Sequence, residues 1–66
     1  MSIVKVIEVI SEGTSVEAAI EGGLKEASKT LDHIKQIDVT HIHAKVDNNK
    51  VVKYRLDLKV SFVVTH

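Results

Sequence analysis

The chain has 66 residues, and its nine basic and nine acidic side chains give a formal net charge of zero. This balance argues against a surface built to bind a polyanion such as nucleic acid. No apolar run approaches the roughly 20 residues of a membrane span, and the first residues lack the pattern of a signal peptide. The length of the chain predicts one domain over residues 1–66. Since the chain has no cysteine, we expect a cytoplasmic location.

The first predicted element is a strand over residues 3–10, which read IVKVIEVI. It is dense in isoleucine and valine, and Lys5 and Glu8 are its only charged residues. Such a run is typical of a strand that is buried on much of both faces. A polar loop through Gly13 ends it.

An amphipathic helix follows this loop. Thr14 is a good N-cap, and Glu17 three residues later completes a capping box. Apolar residues then recur at helical spacing over about four turns: Val16, Ala19, Ile20, Gly23, Leu24, Ala27 and Leu31. Gly22 and Gly23 interrupt the helix, at a cost of about 0.8–1.0 kcal/mol each relative to alanine. Because Gly23 lies on the apolar stripe, we interpret it as a site of tight packing on the sheet; close approach of a ligand or a second backbone is the alternative.

Residues 38–62 read DVTHIHAKVDNNKVVKYRLDLKVSF and predict a long antiparallel hairpin. Its turn falls at Asn48-Asn49, because asparagine tolerates the positive φ that a two-residue type I′ turn requires. The second arm alternates strictly, and its apolar face consists of Val52, Tyr54, Leu56, Leu58, Val60 and Phe62. The elements predict an α+β fold of order β-α-β-β, with a three-stranded antiparallel sheet packed on one amphipathic helix.

A two-residue turn fixes the pairing of the two arms. The predicted pairs on the polar face are Gln36 with Ser61, Asp38 with Lys59, Thr40 with Asp57, and Ile42 with Arg55. The predicted pairs on the apolar face are Ile37 with Val60, Val39 with Leu58, His41 with Leu56, and His43 with Tyr54.

The predicted ribbon is too long to fit inside one compact chain. A compact domain of this size should have a radius of gyration of roughly 11 Å. A strand over residues 33–47 would be about 50 Å long. A ribbon that projects with an apolar face needs a partner, so we expect a symmetric oligomer.

In these residues the chain resembles the dodecin family. The similarity covers residues 4–62 and rests on five stretches: the opening KVIEVI, the loop GTS, the helix EAAIEGGLKEASKTL, the strand that begins QIDV, and the closing KYRLDLKVSF. The resemblance implies a homododecamer of tetrahedral symmetry that forms a hollow shell. It also implies flavins held in pairs at symmetry axes between subunits, so that the protein stores the ligand and is not an enzyme.

The chain departs from the flavin-binding members of that family at the implied site. Those members carry a tryptophan that stacks on the flavin ring, just before the strand segment that corresponds to residues 37–39. Here Gln36 stands in its place, and the chain has no tryptophan. Arg55 follows Tyr54 where a glutamine commonly hydrogen-bonds the ring edge, and His41 replaces an acidic residue found in some members.

The resemblance therefore implies a weakened site for FMN or riboflavin, lined by Gln36, His41 and Arg55. Stacking of a planar base on an aromatic side chain is worth about 1–3 kcal/mol. Its loss should weaken binding by roughly 5- to 150-fold. Hydrogen bonds or weak stacking from Gln36 and Arg55 could still hold a flavin.

Two metal alternatives concern the same hairpin. Asp38, Thr40 and Asp57 cluster on its polar face, where oxygen ligands suit calcium; a set of cross-strand ion pairs is the other interpretation of Asp38 and Asp57. The branch of the family without the tryptophan is associated with calcium or has no known flavin role. His41 and His43 share a face and could bind zinc, copper or nickel, but no third ligand is identifiable, so we favour packing of the partly exposed rings between subunits.

Enzyme signatures are absent from the sequence. It has no cysteine nucleophile, no glycine-rich phosphate loop after a strand and no nucleophile elbow around a serine. Together with the resemblance to the dodecin family, this absence predicts non-catalytic sequestration of a flavin-type ligand by a hollow homododecamer. The alternative is a flavin-free shell that binds calcium or only assembles.

Overall fold

The computed structural model describes residues 2–65 and confirms the predicted order of elements. β1 spans Ser2–Gly13, α1 spans Val16–Ala27, β2 spans Ile34–Asp47 and β3 spans Lys50–Thr65. The strands form one antiparallel sheet of order β1-β3-β2, so β3 lies in the middle and pairs with both others. Within the described residues, no helix is long and apolar enough to cross a membrane.

The helix begins one residue later than predicted and is shorter. Ser15, not Thr14, is the N-cap: its φ is −143°, and its hydroxyl accepts a hydrogen bond of 3.0 Å from the backbone N–H of Ala18. The helix ends at Ala27, and the backbone N–H of Leu31 still donates to the carbonyl of Ala27 at 3.0 Å. Leu31 therefore lies in the turn after the helix and not on a fourth helical turn.

The helix packs on one face of the sheet, which we call the helix face. The side chains buried there belong mainly to the middle of β3. Four of the buried apolar residues are at most 1% exposed: Ala19, Leu56, Leu58 and Val60. Partly buried residues from β1, α1 and β2 surround them: Val9, Val16, Ile20, Ile37 and Val39.

The two adjacent glycines of the helix have different environments. A Cβ on Gly23 would lie 2.6 Å from Cδ1 of Leu58, which is too close for any real contact. The packing interpretation of Gly23 is therefore confirmed. A Cβ on Gly22 would meet only the hydroxyl of Ser11, at an ordinary 3.7 Å, and nothing in the structure explains a glycine there.

The sheet is much longer than the helix that covers it. The molecule measures 52 × 19 × 13 Å, with a radius of gyration of 13.7 Å, whereas twelve helical residues span only about 18 Å. The far end of the hairpin, residues 42–53, therefore projects beyond the helix; we call it the hairpin arm. Its exposed apolar residues are Ile42 at 56%, Val46 at 64%, Val51 at 53% and Val52 at 52%.

The prediction that β1 is buried on both faces is wrong for a single chain. Val4, Val6 and Ile10 are 63%, 53% and 62% exposed. They lie on the face of the sheet away from the helix, which we call the open face. One helix can cover only one face of a sheet, so the other face of β1 is bare.

The turn of the hairpin forms as predicted. Asn48 and Asn49 have φ angles of 52° and 62°, and Asp47 pairs with Lys50. Three register shifts then interrupt the pairing of β2 with β3. They lie between Lys45 and Val46, between Val39 and His41, and between Ile34 and Gln36. The first shift adds a residue to β3 and the second adds one to β2, so together they restore the original register.

The predicted register is correct next to the turn and again beyond the Thr40 bulge, and it is wrong between the shift at Lys45 and that bulge. The confirmed pairs are Gln36–Ser61, Ile37–Val60, Asp38–Lys59 and Val39–Leu58. The corrected pairs are His41–Asp57, Ile42–Leu56 and His43–Arg55. Thr40 itself is the unpaired residue of the bulge, and its hydroxyl donates to the backbone carbonyl of Asp57 at 3.1 Å. Because a shift of one residue moves a side chain to the other face, both histidines lie on the open face.

Candidate functional site

The corrected register gathers two histidines around one carboxylate on the open face. His41 Nδ1 and His43 Nε2 each lie 3.5 Å from Oδ2 of Asp57. The two imidazole rings are stacked, with centroids 6.2 Å apart and an interplanar angle of 28°. These nitrogen–oxygen distances exceed the 2.7–3.2 Å of a good hydrogen bond. Both rings therefore lie close to Asp57, but neither makes a good hydrogen bond that would use up the acceptor capacity of its carboxylate.

Arg55 approaches the same carboxylate from within β3. Its Nε lies 3.9 Å from Oδ1 of Asp57, and both of these atoms are buried without a hydrogen-bond partner. A buried polar atom that lacks a partner costs about 1–3 kcal/mol. The side chains themselves remain 40% and 32% exposed, so a polar group arriving at this face could reorient them and recover hydrogen bonds.

A cleft of about 380 Å³ crosses the open face beside this cluster. All three strands line it: Glu8, Val9 and Ile10 from β1, Thr40 and His41 from β2, and Asp57, Leu58 and Lys59 from β3. Its volume falls in the range of roughly 300–1,000 Å³ that is typical of small-molecule sites. Carboxylates, an imidazole and an ammonium group rim the apolar part of the cleft.

Gln36 reaches the cleft indirectly. Its side-chain amide donates to both carboxylate oxygens of Asp38, at 3.0 Å each, and Asp38 pairs with Lys59, which lines the cleft. Gln36 itself lines a separate depression of about 290 Å³ at the edge of β2. Of the three residues that the sequence suggested for a ligand, His41 lines the cleft, and Gln36 and Arg55 share its face.

The metal-ligand candidates are each engaged within the chain. Asp38 accepts the amide of Gln36, while Asp57 lies between the two histidines and Arg55. Across residues 2–65, no group of three or more histidine, cysteine, aspartate or glutamate side chains is arranged to hold a metal ion. A calcium or zinc site on this face would therefore need ligands from further copies of the chain.

The sequence does carry a signal for the bulge that sets this geometry. Apolar residues occupy positions 37 and 39 of β2 and then positions 42, 44 and 46. This change of phase between Val39 and Ile42 requires an extra residue if every apolar side chain is to stay on one face. Residue-by-residue pairing from the turn did not reveal this bulge, because the shift near Lys45 offsets the register by one residue in the opposite direction.

Comparison with known proteins gives consistent matches over nearly the whole chain. The family model described as dodecin matches residues 3–65. Crystal structures of two Thermus thermophilus dodecin variants are 28% identical to this chain, each with a TM-score of 0.91 and 100% coverage of both chains. One variant replaces an arginine by alanine, and the other replaces a tryptophan by phenylalanine.

A more distant structure has the same fold. The dodecin from Streptomyces davaonensis is 20% identical, with a TM-score of 0.89, and the alignment covers 98% of this chain and 97% of that one. At this identity the likeness shows the fold alone. A comparison with curated protein sequences finds no significant match.

Proposed function

This chain belongs to the dodecin family, and we propose that it sequesters a flavin-type ligand, FMN or riboflavin, in a hollow homododecamer without catalysis. The observation that carries the proposal is the cleft on the open face. It has the volume of a small-molecule site, and it carries polar groups above an apolar lining. It also lies on a face of the sheet that one chain leaves uncovered, so a second subunit is needed to enclose a ligand there.

Two exposed apolar surfaces support the assembly. Val46 and Val51 lie on the hairpin arm, and Val4 and Ile10 lie on the open face; each is more than half exposed. Apolar surface of this kind, distributed over two parts of a 66-residue chain, is typical of protein–protein contact sites. Several symmetric copies could cover both surfaces at once, which a monomer cannot do.

The polar residues of the open face suggest how a flavin would be held. Arg55 can donate from its guanidinium to the carbonyl oxygens of the ring edge, and His41 can donate or accept at the cleft wall. Gln36 can hydrogen-bond the ring but provides no aromatic surface for stacking. The site should therefore bind a flavin more weakly than a site that has the tryptophan.

Native mass spectrometry of the purified protein tests the assembly. Twelve copies of the 7.3 kDa chain should give a mass of about 88 kDa, with added flavin-sized increments after incubation with FMN or riboflavin. A monomer or dimer under native conditions would contradict the shell. The 88 kDa mass without increments would keep the shell and favour the flavin-free alternative.

A tryptophan variant tests the position of the ligand. In Gln36→Trp, stacking should tighten flavin binding by roughly 5- to 150-fold and quench flavin fluorescence. Lys25→Trp, on the exposed surface of the helix, is the matched control for non-specific stacking and should leave the affinity unchanged. Equal behaviour of the two variants would mean that flavin does not bind beside Gln36.

Calcium binding is the second candidate, and the carboxylates that share the open face favour it. Asp38 and Asp57 could each provide oxygen ligands, and the same residues of symmetry-related copies could provide the remaining ones. Isothermal titration calorimetry with calcium should then show a heat of binding, and this heat should be absent in the Asp38→Asn variant. Glu21→Gln, on the helix, removes the same charge elsewhere and should leave that heat unchanged. The absence of binding heat in the unmodified protein would exclude this candidate.

A further inference from the structure

Arg55 and Asp57 are neighbours on the open face that leave each other incompletely paired. They stand two residues apart on β3, so their side chains project from the same face of the sheet. Their buried atoms, Nε and Oδ1, lie 3.9 Å apart and make no hydrogen bond. A hydrogen bond between ionised groups is usually about 2.7–2.9 Å long. The guanidinium therefore lacks an acceptor for one N–H, and the carboxylate lacks a donor for one oxygen.

The rest of the chain offers neither group a better partner. Glu12, which pairs with Arg55 across the strands, has its carboxylate 3.3 Å from Lys53 Nζ. The two histidines beside Asp57 approach its other oxygen, Oδ2. Among residues 2–65, Arg55 has no ion pair other than the one with Asp57. A donor and an acceptor of opposite charge are thus left on a face that one helix cannot cover.

We propose that a second copy of the chain completes both groups, so that Arg55 of each copy pairs with Asp57 of the other across a two-fold axis. This pairing rests on the proposed assembly, but it does not depend on the ligand. In an isologous interface, residue i contacts residue j of the partner, and residue j contacts residue i. One donor and one acceptor on the same face meet that requirement. Their side chains remain 40% and 32% exposed, so a second copy can reach them.

The positions of the two residues fit such an axis. β3 is the central strand of the sheet, and Leu56 separates Arg55 from Asp57. If two open faces meet about an axis that crosses the strands at Leu56, the two copies of β3 run antiparallel, and position 55 of each faces position 57 of the other. Leu56 itself is 0% exposed under the helix, so its side chain does not obstruct the contact. Ile10, which pairs with Asp57 and is 62% exposed, becomes covered at the same time.

The same contact brings a basic group to the cleft of each copy. Asp57 lines the cleft, whereas Arg55 of the same chain does not. Arg55 of the second copy lies against Asp57 at this end of the cleft, where its remaining N–H groups can donate to a bound ligand. A single chain therefore holds an incomplete site, and the charge of the cleft depends on the contact between copies.

Charge-reversed variants test the pairing by native mass spectrometry. Asp57→Arg alone places arginine against arginine at both contacts, and Arg55→Asp alone places aspartate against aspartate. Each variant should lose the mass of about 88 kDa that twelve 7.3 kDa chains give. When the two variants are co-expressed, unlike copies restore both pairs, and this mass should return. Because the two variants differ in mass, the spectrum should show equal numbers of them in every assembly.

Matched reversals on the helix are the control. Glu21→Arg and Lys25→Asp make the same changes of charge at exposed helix positions and should keep the full mass, alone and together. The double variant Arg55→Asp/Asp57→Arg exchanges both charges within one chain. It should also assemble, because each copy again meets the opposite charge on the other.

The outcomes separate this pairing from the function on which it rests. Assembly of either single variant at the full mass would overturn the pairing and leave the shell intact. If the co-expressed variants fail to assemble, Arg55 and Asp57 pair only within their own chain, and the pairing is again overturned. Random ratios of the two variants in the assemblies would contradict it as well. Failure of the unmodified chain to assemble would instead overturn the proposed function itself.

Discussion

Two segments of the same hairpin carry the same apolar alternation and have opposite burial. In the middle of β3, Leu56 and Leu58 are 0% and 1% exposed under the helix. On the hairpin arm, Val46 and Val51 are 64% and 53% exposed although they pair with each other across the strands. The difference is the reach of a twelve-residue helix over a molecule 52 Å long. An apolar pattern indicates which side chains should be covered, but it does not indicate which chain covers them.

The largest effect is expected from a variant that makes the hairpin arm polar. Val46→Asp places a charge on the surface that we assign to subunit contacts, and repetition of this change in every copy should abolish the 88 kDa assembly expected from the 7.3 kDa chain. Val46→Ile keeps the surface apolar and should retain the assembly. Native mass spectrometry reads out both variants, and an unchanged mass for Val46→Asp would show that the arm is not an interface.

Shortening a buried side chain of β3 should lower the stability of the fold. Leu58→Ala leaves a cavity under the helix and should lower the free energy of unfolding by about 2–5 kcal/mol. Leu24→Ala, at a helix position that is 40% exposed, should cost clearly less. Chemical denaturation at one fixed protein concentration measures both, since the stability of an oligomer depends on concentration. Equal losses would mean that subunit contacts bury Leu24 as deeply as the helix buries Leu58.

The two helix glycines test the difference between a covered and an uncovered position within one turn of the helix. Gly23→Ala forces a Cβ against Leu58 and should destabilise the protein by about 1–3 kcal/mol. Gly22→Ala meets no such obstacle in the chain and should stabilise the protein by up to about 0.8–1.0 kcal/mol. Thermal unfolding of the two variants at one concentration measures the difference. If Gly22→Ala destabilises instead, another subunit approaches the helix there.

The smallest effect is expected where the chain passes from the helix to β2. His33 has a φ of 61°, which glycine adopts without the steric cost of a side chain. His33→Gly should therefore stabilise the protein by about 0.5–1 kcal/mol, after allowance for the extra entropy of the unfolded chain. His33→Ala keeps a Cβ and should bring no gain. A gain in thermal stability from both variants would point to the imidazole, and not the backbone, as the source of strain.

Much of the fold was predictable because each element has a local cause. The alternation of β3 predicted its buried face, and Leu56, Leu58 and Val60 are indeed buried. The asparagine pair predicted the turn, and both residues have the positive φ that this turn requires. The N-cap was one residue off because Thr14 and Ser15 are both competent caps, and the choice depends on how the preceding loop enters the helix.

The candidate site was less predictable because it depends on register. Gln36 and Arg55 were expected on one side of the hairpin, and the structure places them there with Ser61 and Asp57. His41 was predicted to face Leu56, and the stretch between the shift near Lys45 and the Thr40 bulge is offset by one residue, so that it pairs with Asp57 instead. The convergence of His41, His43 and Arg55 on Asp57 therefore has no counterpart in simple pairing from the turn.

The sequence by itself determined the strands, the helix and the turn, because periodicity and turn chemistry act over a few residues. The tertiary structure decided which face the histidines occupy and how far the helix covers the sheet. In a strand with a two-residue period, one inserted residue reverses every side chain beyond it. The change of apolar phase between Val39 and Ile42 signals one extra residue, but only the pairing of the two strands shows that a second shift near Lys45 compensates for it.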